Sequence, residues 1–84
     1  MKHEELIGLV RDLTRLIQEK YNNTLGARRE GESEADYQFR NGQNFAYYDV
    51  LDLIHSQLLA FGVERQELEP IVPELGQPVI AVKR

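Results

Sequence analysis

Eighty-four residues, 42% of them hydrophobic, carry ten basic and fourteen acidic side chains for a formal net charge of −4. A chain this short buries roughly 60–65% of its unfolded surface, so it has room for one domain with a thin core. The absence of cysteine excludes disulfides and thiolate metal sites, two histidines are too few for a zinc site built on several imidazoles, and the acidic balance opposes binding to a nucleic-acid backbone.

The chain starts Met1-Lys2-His3-Glu4-Glu5, and its first apolar run, Leu6 to Val10, is interrupted by Gly8. That run is too short for a membrane span or a secretory leader, so the expectation is a soluble, cytoplasmic protein with no membrane partner. Placed at 100° steps from Leu6, the residues Leu9, Val10, Leu13, Leu16, Ile17 and Tyr21 fall within about ±80° of it. Arg11, Asp12, Arg15, Glu19 and Asn22 occupy the other side. This predicts an amphipathic first helix over about 3–27, with the Asn22-Asn23-Thr24 run able to kink it or end it early. Lys20 lies inside the apolar arc, where its stem can pack while the ammonium reaches the edge. The basic residues are spread along the segment, which suits a solvated face better than a nucleic-acid stripe.

A charged connection follows, with four acids and no base from Glu30 to Asp36. Ser33 is the expected N-cap of a second helix over 34–61, with Asp36 three residues on as a weak capping box. Tyr47, Val50, Leu51, Ile54, Leu58 and Phe61 define one apolar arc of that helix, and Phe45, Tyr48 and Leu59 a second stripe beside it. Gly62 is the expected stop. The segment Tyr37–Asn44 allows two readings. Its aromatic–polar alternation around Asn41-Gly42 fits a β-hairpin, but an isolated hairpin lacks a third strand. The continuous helix is preferred, with Gly42 and Ala46 permitting close helix approach.

Beyond Val63, Pro70, Pro73 and Pro78 forbid a long helix, although Ile71, Val72, Leu75, Val79, Ile80 and Val82 keep the segment apolar. These six residues are expected to cover the helices or a partner. The expected organisation is all-α: a helical hairpin over 1–62 and a proline-punctuated extension over 63–84. The combined arc of the second helix spans about 220°, more than one neighbour covers. A homodimer closing a four-helix bundle is therefore expected, with Phe45, Tyr48 and Leu59 at its interface.

Candidate chemistry is sparse. Asp52 and His55 have the i, i+3 spacing of di-iron bundles, but the inward arc of the first helix offers no carboxylate to complete such a site. Consecutive Tyr47 and Tyr48 face different ways and fit packing better than a binding pair. Gly26-Ala27-Arg28-Arg29 lacks the glycines and the Lys-Ser/Thr ending of a phosphate loop. Ser33 and Ser56 have no base nearby in sequence. No cofactor, metal or enzymatic activity is expected. Two classes of function remain: a dimeric structural or interaction module, and a regulatory antagonist, antitoxin-like or phage-accessory, that grips a target protein with its tail.

Overall fold

The computed structural model describes residues 2–63, 71–73 and 76–79. They form two helices in contact, α1 over His3–Thr24 and α2 over Glu34–Ala60, and contain no strand. Thr24 of α1 lies against Arg40 of α2, and Tyr21 against Asn44 and Tyr48, so the helices run antiparallel.

α2 begins where Ser33 accepts a hydrogen bond from the Asp36 backbone N–H at 3.1 Å. It continues without a break through Tyr37–Asn44, so the hairpin alternative does not form. The expected close approach at Gly42 is absent. Gly42 is exposed, about 180° round the helix from buried Leu51, and a Cβ added there meets nothing within 4 Å. α2 ends in a Schellman motif. Val63 N–H donates to Leu58 O, Gly62 N–H donates to Leu59 O, and Gly62 takes φ 92°, a conformation that glycine enters without steric cost.

The first helix ends at Thr24, before the expected boundary, in its run of poor helix formers. A helix end leaves four carbonyls without intrahelical donors. Here all four are satisfied. The Tyr21 carbonyl accepts from Asn44 Nδ2 at 2.8 Å and Asn22 from the Leu25 N–H at 3.3 Å. Asn23 accepts from Arg29 Nη2 at 2.6 Å and Thr24 from Arg40 Nη1 at 2.9 Å. Two of these caps come from α2, so the end of α1 depends on docking of the second helix.

The core is small. Tyr21 and Leu51 are fully buried, Ile71 and Val79 nearly so, with Ile17, Leu25, Tyr47, Tyr48, Leu58 and Val72 packed around them. Among the described residues, two of the four buried apolar side chains thus come from beyond Val63. The molecule is elongated, 47 × 22 × 21 Å, with a radius of gyration of 14.7 Å against about 12 Å for a compact chain of this length.

Candidate functional site

Three features distinguish the surface of the hairpin: a closed polar knot at the connection, a tail clasp on one flank, and an open apolar face on the other.

The knot is built around Arg40. Its guanidinium has five N–H donors and uses every one. Nε and Nη2 hold the two oxygens of Glu32 at 2.9 and 2.8 Å. Nη1 donates to the carbonyls of Thr24 and Gly26, and Nη2 also to that of Ala27. The Tyr37 ring lies under the cation, 5.5 Å from centroid to carbon. Glu32 accepts in addition from the Arg29 N–H at 2.9 Å. The turn that presents it has Gly31 at φ 78° and a Glu32 N–H to Arg29 O bond of 3.0 Å. The fork-to-carboxylate pair with Arg40 is the main reason Glu32 is held at about 2, well below its usual 4.5, with the Arg29 N–H next. The same pair raises Arg40. Of the four acids in Glu30 to Asp36, two are therefore engaged within the chain, Glu32 by Arg40 and Glu34 by Arg28 at 3.4 Å.

The clasp is built on α1. Asn22 uses its amide in both directions: Nδ2 donates to Val79 O and Oδ1 accepts from Val79 N–H, each at 2.8 Å. Tyr21 Oη donates to Gln77 O at 2.9 Å, and Gln18 Nε2 to Ile71 O at 3.3 Å. Burial raises the Tyr21 phenol above its ordinary value. The described tail residues are thus held through their main chain, while Ile71 and Val79 fill the hydrophobic core. Of the six residues expected to make tail contacts, Ile71 and Val79 are buried and Val72 packs beside them. Leu75, Ile80 and Val82 lie outside the described residues.

The three residues expected at a dimer interface have different surroundings. Tyr48 packs into the core against the Tyr21 ring, with centroids 6.4 Å apart. Phe45 is exposed and lies 6.4 Å from Tyr48, at the edge of an open cleft of about 440 Å³ that Tyr37, Asn41 and Gly76 also line. Leu59 is half-buried. Asp52 is exposed, His55 is half-buried, and among the described residues no three metal-ligating side chains come together.

The open face belongs mainly to α1. Leu6, Leu9, Leu13 and Leu16 remain 50, 44, 50 and 41% exposed. Their 3-4-3 spacing is the a/d pattern of a coiled-coil seam over two heptads. The signal was available in the sequence but merged into the broader apolar arc, because periodicity alone does not say which part of an arc its neighbour covers. No described helix is long and apolar enough to cross a membrane. No family model, curated protein or solved structure matches the chain. Among the described residues, fold and surface define a small two-helix protein with a tail clasp and a row of exposed leucines on α1.

Proposed function

We propose that this chain is a non-enzymatic protein-interaction module that works as a homodimer, two helical pairs closing into a four-helix bundle. The observation that carries this reading is the leucine face of α1, roughly half exposed along two heptads. An apolar surface of that extent is a hallmark of association. The clasped tail supports the same reading over a target-gripping antagonist, since Ile71 and Val79 are already buried in their own chain. Nucleic acid and membranes fit the surface poorly: the net charge is −4, and Arg15, Arg28 and Arg40 are engaged by carboxylates.

Light scattering at micromolar concentration tests it. The expected mass is twice the 9.7 kDa of the chain. A mass of one chain overturns the reading.

A further inference from the structure

We infer that the flank opposite the tail, centred on Leu6, Leu9, Leu13 and Leu16, is where a second copy of this chain packs. This rests on the dimeric reading above and assigns its surface to α1 rather than to the aromatic stripe of α2.

Helical phase separates the two flanks from Thr14 to Asn22, while residues 2–13, Ile7 and Val10 included, are exposed on every side. At 100° per residue from Leu6, buried Thr14 and Tyr21 lie at about 80° and 60°, and this is the side turned toward α2. The clasp residues Gln18 and Asn22 lie beyond it, at about 120° and 160°. The leucines lie on the other side, at about 0, −60, −20 and −80° for Leu6, Leu9, Leu13 and Leu16. On α2, measured from Leu51, Tyr48 and Phe45 stand at about 60° and 120° on the tail side. Exposed Val50 and Phe61 stand at about −100° and −80°, away from it. The uncovered face therefore continues from α1 onto α2.

Surface area leaves room for a second copy. The chain exposes 6587 Å². A monomer of 9.7 kDa is expected to expose about 5,100 Å². The excess, about 1,500 Å², exceeds the roughly 800 Å² that each partner gives up in a stable complex of standard size. The pattern points the same way, because an a/d row supplies both the knobs and the holes that an identical row requires. The charges of the seam lie at its ends and edge: exposed Lys2 and Lys20, at about −40°, take the a/d positions just before Leu6 and just after Leu16. Of the acids along the outer edge of the seam, Glu5, Asp12 and Glu19, the last two are matched within the chain by Arg15 at 2.9 and 2.8 Å.

The test compares faces. Leu9→Glu combined with Leu13→Glu is expected to give a helical species of 9.7 kDa by light scattering, whereas Leu59→Glu on α2 stays dimeric. Because the natural chain has no cysteine, introduced thiols report contacts directly even if the charged variant loses its fold. A mixture of Leu6→Cys, Leu9→Cys, Leu13→Cys and Leu16→Cys chains, which covers parallel and antiparallel registers along the seam, is expected to form covalent dimers under mild oxidation, and Leu59→Cys chains are not. If Leu59→Cys cross-links and the α1 thiols do not, the seam is wrong while the dimeric reading stands. If the unmodified chain is a monomer, both fall.

Discussion

At the scale of the residue, Arg40 is the most heavily connected side chain described here, and its role could not be read locally. In the sequence it is one base in a mostly apolar helix. Its partners lie eight residues back at Glu32 and thirteen to sixteen back at Ala27, Gly26 and Thr24, and only the folded connection gathers them. Ser33 and Gly62 were legible because their hydrogen bonds close within a few residues. The Arg40–Glu32 pair has a consequence for acid stability. Glu32 is depressed to about 2 in the folded chain from an ordinary 4.5, so the unfolded chain binds its proton at the higher pH. The contribution is complete above about 4.5 and is lost as pH falls toward 2. Glu32→Gln is expected to melt lower at neutral pH and to show a flatter decline across that window. Thermal melts followed by circular dichroism at several pH values would measure both; parallel curves for the two proteins would contradict the assignment.

At the scale of the element, the competition over Tyr37–Asn44 was decided by helix continuity. The segment carries the strongest local turn signal in the chain, Asn41-Gly42, but tertiary contacts on both sides override it. Arg40 and Asn44, one turn apart, both reach the end of α1 and satisfy its carbonyls. Gly42 itself contributes nothing to that contact. It lies within α2 with open space around it and no left-handed φ. Gly42→Ala is therefore expected to stabilise the protein, by up to about 1 kcal/mol from helix propensity alone. Chemical denaturation of the two proteins measures it, and a loss of stability would mean that Gly42 meets a neighbour after all. The boundary of α1 was less legible. Asn22-Asn23-Thr24 marked a weakness without placing the end, because placement depends on caps donated from α2.

At the scale of the whole molecule, the helices and the fact of their contact were legible from periodicity, but the distribution of their apolar residues between inside and outside was not. An arc drawn on a wheel is symmetric, whereas the described tail residues cover α1 only beside Gln18, Tyr21 and Asn22 and the first half of the helix stays exposed all round. Removing residues 70–84 tests that asymmetry. It deletes Ile71 and Val79 from the core and frees the polar clasp of Tyr21 and Asn22. The truncated chain is expected to melt well below the full one, by about 4–8 °C for each kcal/mol lost. An unchanged melting temperature would mean that the tail contributes no stability. The clasp also bears on how many copies can join. A body with adhesive surface on both flanks can add units at each side and grow without limit, while one with a single adhesive flank is finished once two such flanks meet. In the proposed dimer, the tail's hold on Gln18, Tyr21 and Asn22 would keep that side of the hairpin from joining further copies, so that assembly would close once two leucine rows meet.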